Sequence, residues 1–245
     1  MSDIIYEHPL NQQTRNYLKL EQLFEQACAS LSLNMTLAHN VYFNALFAII
    51  DNLERNDIRG DMIKDLEKLQ QNLLQWARAP GVDQQAINTN LAQIDDLIKG
   101  LRLKPAQWQQ LNQDKLLNCF KKRFAIQGGS CLFDLPQLNH WLSQSQEVII
   151  AQARHWLELL SKIEYSNALI LMLLRQKGSF VDIATDNGFY QDNGDGILLL
   201  RIAIDENVNV YPTVSGNKFR YSIRFMTPSE VSGQQSIEQG VNFKL

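Results

Sequence analysis

The fold class is decided by residues 218–225, which read Lys218-Phe219-Arg220-Tyr221-Ser222-Ile223-Arg224-Phe225. Polar and apolar side chains alternate along this stretch, and a β-strand places successive side chains on opposite faces. The alternation therefore predicts a half-buried strand with one polar and one apolar face. The polar face is predicted to carry Lys218, Arg220, Ser222 and Arg224, and the apolar face Phe219, Tyr221, Ile223 and Phe225.

The rest of the chain after Gly178 shows the same change of apolar period, from about 3.6 to 2, which predicts further strands. These strands are placed at residues 189–190, 198–204, 208–211, 218–226 and 241–245. Residues 191–196 are rich in Asn, Asp and Gly, which tolerate positive φ angles, so they predict a hairpin turn between the first two strands. The polar segment 228–240 is predicted to be a mobile loop.

The first two-thirds of the chain is predicted to be helical, because apolar residues recur three and four positions apart. Asn11 and Thr36 are predicted to cap the first two helices. A third helix follows Asp61, and a fourth starts at Asp83 and stops before Pro105. Further helices are predicted over residues 114–124, 135–142 and most of 147–176.

These patterns predict an α+β fold with two domains. A mainly helical domain is assigned to residues 8–178, and a C-terminal antiparallel β domain to residues 179–245. The apolar run Ile4-Ile5-Tyr6 ends at Pro9, which makes residues 3–7 a candidate strand that returns to join the C-terminal sheet. Such a strand would tie the two ends of the chain together.

The composition argues against several functional classes. The sequence has 23 Lys and Arg against 26 Asp and Glu, and the formal net charge of -3 supplies no general attraction to nucleic acid or acidic membranes. Its start lacks a basic segment followed by an apolar one, and its longest apolar run, residues 168–174, is far shorter than the roughly 20 residues that a membrane-spanning helix needs. We therefore expect a soluble cytoplasmic protein without membrane insertion.

The sequence carries no recognisable catalytic or metal-binding motif. Its four histidines are scattered and its three cysteines form no CxxC pair, so we expect no metal, no cofactor and reduced, mostly buried thiols. Cys131 with His140 is a conceivable thiol dyad, but the neighbouring Leu132 and Phe133 favour a buried cysteine. The sequence therefore predicts a protein that is not an enzyme.

The polar face predicted for residues 218–225 brings three cations together. Side chains two residues apart on a strand lie about 6.6 Å apart, and at that spacing Lys218, Arg220 and Arg224 repel one another unless an anion or acidic neighbours compensate. Two interpretations are open. The face either binds carboxylates, which arginine holds bidentately, or is a solvated outer face balanced by nearby acids.

Two further basic groups lie in the helical part. Lys115, Lys121, Lys122 and Arg123 precede Gly128-Gly129, where cations near a helix C-terminus are stabilising in themselves. Arg55 and Arg59 flank a predicted turn between two helices, either as caps or as parts of an anion pocket. Neither group decides between a structural and a binding role.

Five collinear segments distinguish this chain further. They are Glu7-His8-Pro9-Leu10-Asn11, Pro80-Gly81-Val82-Asp83-Gln84, Gly128-Gly129 with Phe133-Asp134-Leu135-Pro136, Gly188-Phe189-Tyr190-Gln191-Asp192-Asn193-Gly194, and Ser215-Gly216 leading to Arg224-Phe225-Met226. Through them the chain resembles the ZapD family of bacterial division proteins from Glu7 to about Met226. The resemblance implies a helical domain with a β domain, a homodimer, and basic pockets that receive the C-terminal tail of the tubulin-like GTPase FtsZ.

The resemblance also implies particular site residues. Arg55, Arg220 and Arg224 match arginines of the family, and Lys115 stands where well-known members carry arginine. Lysine keeps the charge but loses the planar fork of the guanidinium. With Lys218 from the predicted strand, these residues form the predicted site for the FtsZ tail. The expected function is non-enzymatic cross-linking and bundling of FtsZ filaments that stabilises the Z-ring at the midcell division site.

A nucleic-acid-binding or nucleoid-associated module that uses the basic β face is the alternative. The predicted strand places Phe219 and Tyr221 on the opposite side from the arginines, whereas a platform for single strands needs stacking and charge on one surface. We therefore expect no nucleic acid partner. The sequence does not select a dimer interface, because several faces of the predicted helices are amphipathic.

Overall fold

The computed structural model describes residues 3–77, 84–229 and 232–245. Its helices are α1 (Gln12–Ser30), α2 (Met35–Arg55), α3 (Ile58–Trp76), α4 (Gln84–Arg102), a 3₁₀ helix (Gln107–Gln113), α5 (Lys115–Phe124), α6 (Pro136–Leu142), α7 (Gln146–Glu158) and α8 (Ser161–Gln176). Its strands are β1 (Asp3–Pro9), β2 (Asp182–Thr185), β3 (Phe189–Asn193), β4 (Leu199–Asp205), β5 (Tyr211–Gly216), β6 (Arg220–Ser229), β7 (Gly233–Ser236) and β8 (Val241–Lys244). The predicted α+β class is confirmed.

The chain divides into two units, which we call the helical unit (Lys19–Ile170) and the β unit (residues 3–18 with Leu171–Leu245). The domain boundary placed at residue 178 from the sequence stays a prediction. No helix among the described residues is both long enough and apolar enough to cross a membrane.

Side-chain caps explain where several helices begin. The Asn11 side chain accepts the backbone N–H of Thr14 at 2.7 Å, which confirms the predicted cap of α1. Thr36 is not the cap of α2, because the Asn34 side chain accepts the Thr36 N–H at 2.9 Å. Asp57 caps α3, so this helix begins before the predicted position.

The other helix predictions differ in outcome. The predicted start of the fourth helix at residue 83 lies outside the described residues, whereas its end before Pro105 is confirmed. The predicted helical stretch 147–176 consists of α7 and α8, which are separated by Leu159 and Leu160.

The core of the helical unit is built around α2. Most of this helix is buried, and Phe43 lies at its centre with no exposed surface. The Phe43 ring packs against six other aromatic rings, with centroid separations from 5.1 to 5.9 Å. These rings belong to Tyr42, Phe47, Phe120, Phe124, Trp141 and Trp156. Aromatic packing therefore fixes α2 against α5, α6 and α7.

The β unit contains two antiparallel sheets. One has the strand order β1-β4-β8-β2, and the other β3-β6-β5 with β7 also paired to β6. Buried side chains of both sheets form one cluster, in which the rings of Phe225 on β6 and Phe243 on β8 lie 4.9 Å apart. The apolar faces of the two sheets therefore share a core.

Two predictions about the β unit are wrong. Residues 191–196 do not join a hairpin, because β3 pairs with β6 while β4 pairs with β1 in the other sheet. The segment 228–240 is not simply a loop, since β7 pairs with the end of β6. The strand predicted at residues 208–211 is misplaced as well, since only Tyr211 belongs to a strand, β5, which continues to Gly216.

The predicted N-terminal strand is confirmed by β1, which pairs along its length with β4. Glu7 of β1 anchors this pairing. Its carboxylate accepts two bonds from Arg175 at 2.9 and 2.7 Å and one from Arg201 of β4 at 3.1 Å. Burial raises the pKa of Glu7, but the hydrogen bonds and charges of the two arginines outweigh this effect and hold the pKa below its ordinary value.

Candidate functional site

Strand β6 presents the arginine pair Arg220 and Arg224, both exposed, on one face. The alternate residues Tyr221, Ile223 and Phe225 are at most 2% exposed and point into the β-unit core. The alternation predicted from the sequence is therefore confirmed from Arg220 onward. Burial of the apolar side fixes the register and leaves the arginines outside.

The placement of Lys218 and Phe219 differs from the prediction. Strand β6 begins at Arg220, and Lys218 and Phe219 lie in the turn that follows β5. The Asn217 side chain accepts the Phe219 N–H at 2.9 Å and stabilises this turn. Phe219 is 65% exposed instead of buried, and the Lys218 ammonium lies 4.8 Å from the centre of its ring. Lys218 is thus not part of the strand face.

The neighbours of the arginine pair are uncharged. Asn193 of β3 lies opposite Arg220, while Phe189 of β3 and Thr213 of β5 flank Arg224. Among the described residues, no ion pair joins either arginine to a carboxylate. The interpretation as an outer face balanced by acids therefore finds no support in the residues directly across the sheet.

An aromatic ring accompanies the arginine pair. The guanidinium carbon of Arg224 lies 5.9 Å from the centre of the Phe189 ring, which is 40% exposed. This geometry is a cation–π contact, which favours a guanidinium in one orientation over the ring. The face therefore combines two cations with an accessible apolar surface.

Arg55 lies in the last turn of α2 and its side chain is 81% exposed. Its nearest acidic partner is Asp51, one turn earlier, at 4.0 Å, a distance at which an exposed pair is weak. Asp51 and Glu54 instead bind Lys121 of α5, at 3.0 and 3.1 Å. Arg55 thus keeps most of its donors directed to solvent.

Lys115 is the first residue of α5, not a residue near its C-terminus. The helix dipole disfavours a cation at the N-terminal end. The stabilisation expected for cations near a helix C-terminus therefore does not apply to Lys115. Lys115 lines a cavity of about 660 Å³, together with Asn112, Gln113, Asn118, Cys119, Lys122 and Arg123. No carboxylate is among these residues, so the cavity is basic.

Two cations of this cavity were not assigned to a site from the sequence. Lys122 and Arg123 lie seven and eight residues after Lys115, about two helical turns along α5, so they share its face. Arg123 donates to the Asp134 backbone carbonyl at 3.0 Å and pairs with the Asp134 carboxylate at 3.6 Å, so its charge is partly compensated. Its buried Nε has no hydrogen-bond partner among the described residues. The helical periodicity of α5 was the signal that could have identified them.

The predicted site residues fall into both units. Arg220 and Arg224 share one face of the β unit, and Lys218 lies in the turn that leads to it. Arg55 and Lys115 belong to the helical unit, on α2 and α5. Each unit therefore presents its own set of accessible cations.

The cysteines do not behave as predicted. Cys28 and Cys131 are exposed and Cys119 is half-buried, so the expectation of mostly buried thiols is wrong. Leu132 and Phe133 are also exposed, at 37% and 83%, so the apolar neighbours of Cys131 do not bury it. Within residues 3–77, 84–229 and 232–245, no group of three or more His, Cys, Asp or Glu side chains is arranged to hold a metal.

Comparison with known proteins identifies the family of this chain. The model of the ZapD family, described as a cell division protein, matches residues 18–224. A cell division protein ZapD from Pectobacterium carotovorum subsp. carotovorum (strain PC1) is 39% identical over 95% of this chain and 93% of its own length. The chain is also 39% identical to ZapD of Idiomarina loihiensis, over 99% and 95% of the two lengths. The protein therefore belongs to the ZapD family of cell division proteins.

Proposed function

We propose that this cell division protein binds the C-terminal tail of FtsZ and, as a homodimer, cross-links FtsZ filaments into bundles at midcell. The role needs no catalysis and places the protein in the cytoplasm. The observation that carries the proposal is the exposed Arg220–Arg224 pair, which has uncharged neighbours across both adjacent strands. Such a face favours a ligand that brings its own carboxylates.

The tail has the matching chemistry, because it is an extended segment that carries carboxylates and apolar side chains. The arginines would bind the carboxylates, and the Phe189 ring supplies apolar surface beside Arg224. In the helical unit, the basic cavity around Lys115 and the exposed Arg55 offer further cations. Because a flexible tail loses entropy when it binds, each contact alone is expected to be modest.

Bundling follows from the number of sites. A dimer carries two tail sites and a filament displays a tail on every subunit. Once one site is bound, the other meets tails at an effective concentration on the order of mM. Many weak contacts can therefore hold two filaments together.

A direct test measures fluorescence anisotropy of a labelled FtsZ tail peptide with the wild type and with Arg220→Glu/Arg224→Glu. We expect saturable binding that weakens at least on the order of a hundredfold in the variant, since two attractive charges become repulsive. A matched control is Lys64→Glu/Lys68→Glu on α3, which reverses two exposed charges elsewhere and should leave binding unchanged. Circular dichroism checks that each variant is folded. No binding by the wild type would overturn the proposed partner, and equal binding by the arginine variant would move the site.

Single-stranded nucleic acid is a second candidate ligand, because the structure places exposed aromatic rings on or beside the arginine face. Phe189 contacts Arg224, and Phe219 is exposed in the turn before Arg220. Aromatic rings beside cations are typical of platforms on which bases stack. A short labelled oligonucleotide in the same assay separates the two candidates. Tight binding at physiological salt would favour nucleic acid.

A further inference from the structure

The β unit contains a cavity of about 320 Å³ at one end of its two sheets, which we call the sandwich cavity. Residues near the start of β4, in one sheet, and of β6, in the other, line it together with the end of α8 and Leu245. Leu200 of β4 and Tyr221 of β6 are only 3% and 2% exposed, so the cavity reaches the core between the sheets. Its volume lies in the range of about 300–1,000 Å³ that is typical of small-molecule sites.

Most of the wall of the sandwich cavity is apolar. Ile197 and Leu199 contribute half-buried aliphatic side chains, and Phe180 contributes a ring that is 39% exposed. The next residue, Val181, exchanges two main-chain hydrogen bonds with Leu245, at 2.9 and 3.0 Å. These bonds fix the segment that carries Phe180 against the end of β8. The apolar wall is therefore preformed.

The main polar groups of the wall are two guanidinium groups. Arg175 and Arg201 both line the cavity, and their side chains are 28% and 27% exposed. Both bind the single carboxylate of Glu7, so the three groups together carry one excess positive charge. No acidic side chain is among the described residues that line the cavity. The excess charge therefore favours a ligand with one negative charge.

Arg201 has a donor left for such a ligand. Its Nε donates to Glu7 and its Nη1 to the Arg175 carbonyl at 3.3 Å, whereas its Nη2 makes no hydrogen bond to any other residue in the described part of the chain. The centre of the Phe180 ring lies 5.3 Å from the guanidinium carbon, a cation–π contact that helps to orient the group. A positioned donor and an apolar surface thus meet in one cavity.

We propose that the sandwich cavity binds a small amphipathic carboxylate, with its carboxylate at Arg201 and its apolar body along the wall between the sheets. At about 30 Å³ for each non-hydrogen atom, the cavity holds a molecule of roughly ten such atoms, the size of a medium-chain alkanoate. A compact polar anion such as phosphate would leave the apolar wall without contacts. A neutral apolar molecule would leave the excess charge of the arginines without a partner.

The sandwich cavity is separate from the face proposed for the FtsZ tail. Tyr221 lines the cavity from the apolar side of β6, whereas Arg220 and Arg224 lie on the polar side of the same strand. Binding of the amphipathic carboxylate and binding of the tail are therefore expected to be independent of each other.

The test is isothermal titration calorimetry with octanoate, whose carboxylate and alkyl chain match the cavity in charge and size. We expect one octanoate per chain, with a dissociation constant between about 10 μM and 1 mM. Butyrate, which lacks four of the methylene groups, should bind at least about tenfold more weakly. Octylammonium should also bind at least about tenfold more weakly, because its charge has the wrong sign.

Two variants and a matched control locate the site. Arg201→Gln removes the excess charge, and we expect octanoate to bind about tenfold more weakly and to lose its preference over octylammonium. Phe180→Ala removes part of the apolar wall, which should weaken octanoate binding about threefold to tenfold and keep the preference. The control is Phe219→Ala, since this exposed ring also contacts a cation, Lys218 at 4.8 Å, but does not line the cavity. It should leave octanoate binding unchanged.

Circular dichroism checks that each variant is folded, and if Arg201→Gln is not, Phe180→Ala with its control decides the site. The inference is overturned if octanoate does not bind saturably at millimolar concentration, or if octylammonium binds equally well. It is also overturned if Phe180→Ala binds octanoate as tightly as Phe219→Ala, or if the FtsZ tail peptide displaces octanoate. Failure of the tail peptide to bind, with octanoate binding intact, would overturn only the proposed function.

Discussion

The β unit contains two pairs of arginines in opposite situations. Arg175 and Arg201 are half-buried and both bind Glu7, whereas Arg220 and Arg224 are exposed with neutral residues across the sheet. The charges of Arg175 and Arg201 are partly compensated by the Glu7 carboxylate, and these ion pairs hold β1 to the rest of the unit. The second pair keeps its charge available. The same residue type therefore stabilises the fold in one place and is available to a partner in another.

The helical unit shows the same division on a single helix. Lys121 of α5 is bound by Asp51 and Glu54, while Lys115 and Lys122 line a cavity without carboxylates. A count of basic residues does not distinguish these two kinds. The position of the nearest carboxylate distinguishes them. Mutation of a compensated cation should lower stability, whereas mutation of an uncompensated one should weaken binding.

The largest expected effect is a difference in unfolding free energy between two variants, each of which replaces one arginine of one pair by methionine. Arg175→Met leaves Glu7 with a single cationic partner in a half-buried site, and we expect the free energy of unfolding to fall by about 3 kcal/mol. Arg224→Met should change it by less than about 0.5 kcal/mol, because that side chain is exposed. Urea unfolding followed by circular dichroism measures both. An equal loss in the two variants would contradict the division into structural and available arginines.

A somewhat smaller effect is expected from Glu7→Gln, about 2 kcal/mol at neutral pH, and it should depend on pH. Because the pKa of Glu7 is lower in the folded protein than its ordinary value of 4.5, its stabilisation is present above that value and is lost as the pH falls through the folded pKa. The difference in unfolding free energy between wild type and variant should therefore be largest above about pH 5 and shrink at lower pH. Unfolding curves from pH 3 to 7 measure this difference. A constant difference over that range would show that the charge of Glu7 is not the cause.

The smallest effect should come from the lysines of α5. Lys122→Gln is expected to weaken binding of the FtsZ tail peptide about threefold to tenfold and to lower stability by less than about 0.5 kcal/mol, since Lys122 is one of three cations in the last turn of α5. Lys121→Gln should instead lower stability by about 1 kcal/mol and leave binding unchanged, since its charge is already compensated. Anisotropy and thermal unfolding on both variants give the four values. Weaker tail binding in Lys121→Gln alone would reverse the assignment.

The sequence predicts structure well where a local period decides the outcome. The alternation from Arg220 to Phe225 is confirmed because the core buries one side of β6 and solvent covers the other. It fails at Lys218 and Phe219, where the Asn217 turn overrides an alternation that continues in the sequence. A periodic pattern in the sequence does not indicate where the backbone reverses direction.

Partners distant in sequence are harder to predict. The turn residues at 191–196 do mark a change of direction, but they do not reveal that β3 and β4 belong to different sheets. Lys121 and Glu54 are 67 residues apart, so nothing local separates Lys121 from Lys122. Cys131 shows the same limit, because apolar neighbours in sequence predicted burial that the folded loop does not provide. The sequence thus predicts the residue types of the candidate site and their approximate positions. It does not predict which of the cations are paired with a carboxylate.

Strand β1 has a consequence for biosynthesis. Glu7 is 194 residues from Arg201, its partner on β4. At 5–20 residues per second, the ribosome needs roughly 10 to 40 s to synthesise that distance. The Ile4-Ile5 segment must remain unpaired for all of this time, while the helical unit can already fold from residues that have emerged. The nascent chain therefore exposes an apolar segment that is unpaired until β4 has been synthesised. A chaperone that shields this segment during synthesis would raise the yield of folded protein.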